Sequence, residues 1–306
     1  MSHVAESTHA LSTLSNQFAD AVEQIGRAVV QVDGRPRRPS SGVVYAPHLV
    51  IVAEHAVERD DDLHVEAADG PPLPAQLLGR DPPSDLAVLR VPGLGLEPAA
   101  LAATPARVGQ FLLAVGRPGH RGLMASIGVV SAVSGPLRTR GGMLEQYIRT
   151  DATPYPGFSG GALVDARGAV LGVLTTGLVG GVALAVPAAL AWRLADTLAR
   201  QGYVTRGWLG IGSQPVRIPP AQRAGREHAA GLLIVEVAPE SPAEHAGLLL
   251  GDILVALDGR PVADAEDLQA LLVGDRVGRP VPVEVLRGGV LTRLEAIVGQ
   301  RGGRQP

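Results

Sequence analysis

Between Val29 and Val186 the chain is a succession of short apolar runs, each closed by glycine or proline: Gly42-Val-Val-Tyr45, Leu49-Val-Ile-Val52, Leu63-His-Val-Glu66, Ala87-Val-Leu-Arg-Val91, Phe111-Leu-Leu-Ala-Val115, Ile127-Gly-Val-Val130 and Tyr147-Ile-Arg-Thr150. With 39 glycines and 25 prolines in 306 residues, turns come too often for long helices. The pattern predicts an all-β sandwich or barrel. Aromatic residues make up 3% of the chain and hydrophobic residues 46%, so valine, leucine and alanine must fill the interior. No cysteine is present, which excludes disulfides and thiolate chemistry.

Helical spacing appears at two places in this half. Leu11, Leu14, Phe18, Val22 and Ile25 repeat at helical intervals ahead of a strand-like Ala28-Val-Val-Gln-Val32. That helix packs on its own domain or on a neighbouring subunit, and the sequence does not choose. Leu190, Leu194 and Leu198 predict a second helix over residues 188–201, with Gly202 as its terminator. After Arg206-Gly207 the pattern changes. Leu232 to Val237 and Ile253 to Leu257 read as strands, and Ser241-Pro-Ala-Glu opens a short capped helix. Asp264 to Leu272 reads as another helix, and Val281 to Leu286 pairs with Val290 to Val298 through Gly288-Gly289. Residues 214–230 read as a loop. The expected organisation is a tail and helix start over 1–17, one domain over 18–203, a second over 204–300 and a disordered tail over 301–306.

The formal net charge is −3 with signs intermingled, which points away from nucleic acid and anionic membranes. No apolar stretch approaches the ~20 residues of a bilayer span. Residues 1–20 hold no lysine or arginine and no unbroken apolar run. They predict a cytoplasmic protein, or an exported one if the start is misassigned.

The chemistry centres on Gly157-Phe158-Ser159-Gly160-Gly161. Glycines on both sides let the backbone turn sharply around a serine hydroxyl and aim the N–H groups of Gly157 and Ser159 at one point. A nucleophile elbow would run directly into a helix. Here Ala162-Leu-Val164, a turn at Asp165 to Gly168 and Val170-Leu-Gly-Val-Leu174 read as a hairpin, so the elbow is rejected. A turn without chemistry stays open until partners for the serine are found.

Serine acyl transfer needs a base and an acid to orient it. Of eight histidines, His3 and His9 lie in the polar N-terminal stretch, and His228 and His245 lie in the second domain. His64 alternates with apolar neighbours, His48 opens a strand, and His120 sits in a glycine-rich loop. His55 stands out, because there a buried strand ends in a turn. Asp85, in Pro82-Pro-Ser-Asp-Leu-Ala-Val-Leu89, enters an apolar strand and needs a donor. A turn aspartate that caps local N–H groups is the plainer alternative. The order His55, Asp85, Ser159 is the chymotrypsin-like one.

On these residues the chain resembles the HtrA/Deg family of serine proteases. The resemblance also runs through Ser84-Asp-Leu-Ala87, Gly116-Arg-Pro118, Ile127 to Ala132, Arg149-Thr-Asp-Ala152 and Gly181 to Pro187, and covers most of residues 18–200. It implies a trypsin-like double β-barrel with His55 as general base, Asp85 as its orienting acid and Ser159 as nucleophile. The N–H groups of Gly157, Phe158 and Ser159 are the candidates for the oxyanion hole. Four features depart from the family pattern. Phe158 stands where asparagine is usual, Glu54 where a small or amide residue is usual, Ala162 where proline is usual, and the loop from Gly34 to Ser41 is short. Residues 153–158 hold no acid, and Thr175 to Leu184 is neutral. Small or aliphatic side chains are therefore expected before the cleaved bond.

Arg206-Gly-Trp-Leu-Gly-Ile211, Ser241 to Gly247 and Gly251 to Gly259 look like the family's PDZ domain. The overall expectation is a mainly β chain, a trypsin-like double β-barrel followed by a smaller α+β PDZ domain. A peptide C-terminus would add a strand beside residues 209–213, with its carboxylate on the loop of Trp208, Leu209, Gly210 and Ile211. Leu268, Leu271 and Leu272 would wall the groove. The reading is an endopeptidase for unfolded or misfolded polypeptides, trimeric by resemblance, without cofactor or metal. Its rival is a silent pseudoprotease that binds peptides through the PDZ domain.

Overall fold

The computed structural model describes residues 2–301 apart from 37, 69, 120, 121, 140, 141, 205, 224, 226–228 and 273–275. They form two compact units, Met1–Val204 and Thr205–Pro306. The first begins with α1 (Ser2–Gly26). Six strands follow: β1 (Val29–Asp33), β2 (Ser40–Ala46), β3 (Leu49–Ala53), β4 (Leu63–Glu66), β5 (Leu73–Asp81) and β6 (Leu86–Arg90). They close into a barrel in the order β1-β2-β3-β6-β5-β4.

The second barrel is built from β7 (Phe111–Gly116), β8 (Met124–Ser134), β11 (Tyr147–Thr150), β12 (Ala162–Val164), β13 (Val170–Thr175) and β14 (Leu184–Pro187). It closes in the order β11-β14-β13-β12-β7-β8, and a small hairpin of β9 (Leu137–Thr139) and β10 (Gly142–Leu144) stands off it. Val52, Val65 and Leu89 are fully buried in one apolar cluster, and Leu112, Leu163 and Ala185 in another. The closed sheets leave no free edge, which suits a chain whose strands are this apolar.

Helix α2 (Ala188–Gln201) buries Leu190, Leu194 and Leu198 against Ile51, Leu86 and Val88. It ends where Gly202 takes φ 82° and donates its N–H to the Leu198 carbonyl, the left-handed cap that glycine supplies without strain. Helix α1 is longer than the leucine spacing suggested. Its last turns bury Ala21 and Ile25, and Phe18 meets Phe111 edge-on at 6.2 Å.

The second unit holds β15 (Arg206–Trp208), β16 (Ile211–Arg217), β17 (Ala230–Val237), α3 (Pro242–His245), β18 (Ile253–Leu257), β19 (Arg260–Pro261), α4 (Ala265–Leu271), β20 (Pro280–Arg287), β21 (Val290–Ile297) and β22 (Gly299–Arg301). The main sheet runs β16-β17-β18-β20-β21. Ser241 caps α3 by accepting the Glu244 N–H at 3.2 Å. The loop predicted over 214–230 is corrected in part. Residues 214–217 belong to β16, with Pro215 opposite Leu232. An edge strand tolerates a proline that an inner strand would not.

Asp252 is the buried charge of this unit. Its carboxylate accepts Arg287 Nε and Nη2, both at 2.8 Å, and the Leu249 N–H at 2.9 Å. Burial pushes its pKa up, but the Arg287 hydrogen bonds, the Leu249 N–H and the Arg287 charge outweigh this and hold it below the ordinary 3.8. A depressed carboxyl contributes stability above its unfolded pKa and loses it as the pH falls through the native value. Asp252→Asn should therefore cost about 2 kcal/mol in urea unfolding of the whole chain at neutral pH. The gap to wild type should close as the pH is taken below about 4.

Candidate active site

Strand β3 ends at Ala53, and a single 3₁₀ turn, Glu54–Ala56, carries His55 out of the barrel. Asp85 lies on the tight turn before β6, with φ 54°, a left-handed conformation that aspartate tolerates better than most side chains. Buried Asp81 and Ser84 brace that turn, Ser84 donating both its N–H and its hydroxyl to the Asp81 carboxylate. The two turns are joined by backbone, Glu54 N–H to Asp85 C=O at 3.0 Å.

Asp85 is 5% exposed, so its carboxylate needs several donors. Oδ1 accepts the His55 backbone N–H at 2.9 Å, and Oδ2 accepts from His55 Nδ1 at 2.7 Å. The Thr175 hydroxyl at the end of β13 also donates to Oδ2. A carboxylate acceptor at Nδ1 places the ring proton there and leaves Nε2 as an acceptor. Gly177 closes this arrangement. A Cβ at that position would lie 2.4 Å from His55 Nδ1 and 2.7 Å from Asp85 Oδ2.

The serine loop is a second turn structure. Phe158 N–H bonds the Tyr155 carbonyl at 3.0 Å and Gly161 N–H the Phe158 carbonyl at 2.8 Å. Gly157 and Gly160 take φ 89° and 85°. Ser41 clamps the loop from the other barrel. Its N–H donates to the Ser159 carbonyl at 3.2 Å and its hydroxyl to the Gly157 carbonyl at 2.7 Å, while the hydroxyl accepts the Arg117 N–H at 2.8 Å. Gly160 is pressed so close that a Cβ would lie 2.1 Å from the Ser41 carbonyl oxygen.

Of the residues expected at the centre, His55 and Asp85 are hydrogen-bonded, and His55 and Ser159 line one cleft of about 840 Å³. Ser159 Oγ itself pairs with Thr176, at 3.1 Å to its hydroxyl and 3.3 Å to its N–H, rather than with His55. Catalytic contacts without substrate are often loose. Among the described residues no acceptor takes the N–H of Gly157 or Ser159, whereas that of Phe158 is bound to Tyr155. The Glu54 carboxylate pairs with Arg80 at 3.4 Å. His120 lies outside the described residues. Thr175, Thr176, Gly177 and Ser41 were not foreseen, because nothing in their local sequence signals contacts made 17 to 116 positions away.

Phe158 is 1% exposed, stacks edge-on to Tyr155 at 5.3 Å and packs with Leu112, Leu163 and Leu174. The loop is thus anchored by an apolar ring where the family pattern has an amide. In the second unit Leu209, Leu268, Leu271 and Leu272 all belong to the apolar core, while Gly210, at φ 85°, leads the chain into the edge strand β16 from Ile211. Trp208 sits in β15 opposite Gly299. Among the described residues no cluster of histidine, aspartate and glutamate could hold a metal ion.

Residues 40–173 match the model of the trypsin-like peptidase domain and residues 207–298 that of the PDZ domain. The chain is 33% identical over 266 residues to a probable periplasmic serine endoprotease DegP-like of Ectopseudomonas mendocina (strain ymp), covering 85% of this chain and 56% of that one. A protein of the same description from Rhizobium meliloti (strain 1021) is 35% identical over 273 residues, 87% of this chain and 54% of that one. The chain thus spans little more than half the length of these relatives. Among solved structures, the HtrA-type protease AlgW with tripeptide superposes with a TM-score of 0.79 at 31% identity, covering 94% of this chain and 98% of that one. The serine endoprotease from Yersinia pestis gives 0.76 at 27% identity, over 93% and 98%. These relatives overturn the expected cytoplasmic location, since they are named periplasmic.

The packing at Gly177 yields a direct test. Gly177→Ala drives a methyl into the contact between His55 and Asp85, so one of the two side chains must move. The slowly exchanging Nδ1–H proton signal of His55 should disappear from the NMR spectrum. Thr176→Ala, which removes a hydroxyl bonded to the serine and leaves the imidazole and carboxylate undisturbed, should keep that signal intact.

Proposed function

The chain belongs to the HtrA/DegP-like family of serine proteases, and on that premise we propose that it is an endopeptidase acting on unfolded or misfolded polypeptides. The observation that carries the reading is the 2.7 Å bond from His55 Nδ1 to the buried Asp85 carboxylate, with Ser159 on the wall of the same cleft. Held in this tautomer, His55 takes the Ser159 proton through Nε2 as Oγ attacks the peptide carbonyl. It returns that proton to the leaving amine. Asp85 orients the ring and stabilises the imidazolium. The open N–H groups of Gly157 and Ser159 receive the oxyanion. Water then hydrolyses the acyl-enzyme by the same steps in reverse order.

The neutral walls at 153–158 and 175–184 support small or aliphatic residues before the cleaved bond. The 204–300 segment acts as a PDZ domain. A C-terminal peptide adds a strand to the open edge of β16, and its carboxylate meets the N–H groups after Trp208. Leu268, Leu271 and Leu272 support the groove from beneath. The compartment of its relatives, the periplasm, is taken for this chain too. Association through the first unit, as a trimer by family resemblance, is supported by exposed apolar side chains there, with Leu11 at 69% and Phe111 at 55%.

Purified protein should degrade an unfolded protein such as reduced casein, and Ser159→Ala should lower turnover at least about 10³-fold. Equal rates for the two would overturn the reading. A peptide ending in an apolar residue should bind the Ser159→Ala protein in calorimetry. Amidation of its C-terminus should weaken binding at least about tenfold, through loss of the charged acceptor.

A further inference from the structure

The walls of the active-site cleft are electrically one-sided. Among the described residues its lining includes Arg35, Arg38 and His55 but no aspartate or glutamate. Composition does not explain this, because the whole chain carries 27 basic and 30 acidic residues. Nor are the two arginines neutralised by acids. Arg35 gives its Nε to the Arg38 carbonyl at 2.8 Å, and among the described residues neither guanidinium is paired with a carboxylate. The nearby acid Asp33 is already bonded to Arg59 at 3.0 Å.

The loop that carries these arginines connects β1 to β2 and reaches the cleft through Pro39. The Pro39 carbonyl oxygen would lie 2.9 Å from a Cβ on Gly157. Ser41, two residues after Pro39, holds the Ser159 carbonyl, while Thr176 holds its hydroxyl. The Thr176 side, with Gly177 and Gly181, is the neutral wall assigned above to the residues before the cleaved bond. The arginine side is then left for the residues that follow it.

We infer that this protease selects polypeptides with acidic residues just after the cleaved bond, read by Arg35 and Arg38. The inference rests on the endopeptidase reading and adds a substrate class to it. Arginine suits the task because its planar fork pairs with a carboxylate through two N–H groups and stays charged at any working pH. Both side chains are partly or fully solvated, so each contact is worth a few-fold rather than orders of magnitude. Attraction over this distance also falls with salt, the Debye length being about 8 Å at physiological ionic strength.

The test uses the full chain and three fluorogenic peptides identical except for one acidic pair. The pair stands at the second and third positions after the cleaved bond, at the matching positions before it, or nowhere. The expected result is a kcat/KM for the first peptide about three- to tenfold above the neutral one at low salt, falling toward one as salt is raised. In Arg35→Gln/Arg38→Gln the ratio should drop to about one. In Arg35→Glu/Arg38→Glu it should invert, with the neutral peptide now preferred. A preference for acid before the bond, or an equal ratio in wild type and the double variant, overturns the inference while cleavage itself still supports the endopeptidase. Absence of cleavage of all three peptides, together with absence of Ser159 labelling by a serine-reactive probe, sinks the underlying reading instead.

Discussion

The first unit is organised around one buried carboxylate. Asp85, on a turn of the first barrel, accepts from His55 on a second turn of that barrel and from Thr175 on the second barrel. An unpaired charge at 5% exposure would cost several kcal/mol, so the donors cannot drift away independently. Each must stay, and in staying it fixes the distance between its parent strands. The same requirement explains two backbone features. Asp85 takes a left-handed conformation to aim its oxygens, and Gly177 gives up a side chain so that the imidazole and carboxylate can meet.

The serine loop is held by a different kind of force. Its glycines permit the turns, but permission is not order, and two contacts supply the order. Ser41 reaches over from the first barrel to the carbonyls of Gly157 and Ser159, and the Phe158 ring is sunk into the second barrel. Burying a phenylalanine contributes roughly 2–3 kcal/mol, comparable to the amide hydrogen bonds it replaces. Gly116 makes room for it, since a Cβ there would lie 2.8 Å from the ring. Anchoring by area is less directional than anchoring by hydrogen bond. The directional part falls to Ser41, whose hydroxyl fixes the Gly157 carbonyl and whose N–H fixes the Ser159 carbonyl.

What was legible in the sequence was whatever is encoded locally. Apolar runs between glycines and prolines gave most of the barrel strands, Gly202 the end of α2, and Ser241 the cap of α3. His55, Asp85 and Ser159 each sit at a strand end beside a turn signal. What was not legible were partners chosen by three-dimensional proximity. Glu54 pairs with Arg80, 26 residues on, and Ser41 meets Gly157 across 116. Leu268, Leu271 and Leu272 show the limit of periodicity, because helical spacing marks an inward face without saying whether it also lines a groove. All three are buried here. Residues 214–217 read as loop because the segment to Ala230 is rich in proline, arginine and alanine, whereas a strand at the sheet edge absorbs Pro215.

That edge carries a consequence for recognition. An unpaired strand is a template for any extended chain, which makes it useful and hazardous at once. In β16 the two demands are separated along the strand. Residues 211–214 keep every backbone donor, and Pro215 removes the next one. On the reading proposed above, a peptide would add over the stretch beside Gly210, ahead of that proline. A longer strand from another molecule loses its ladder at the proline. On that reading the edge would favour ligands that end there over chains that merely pass by.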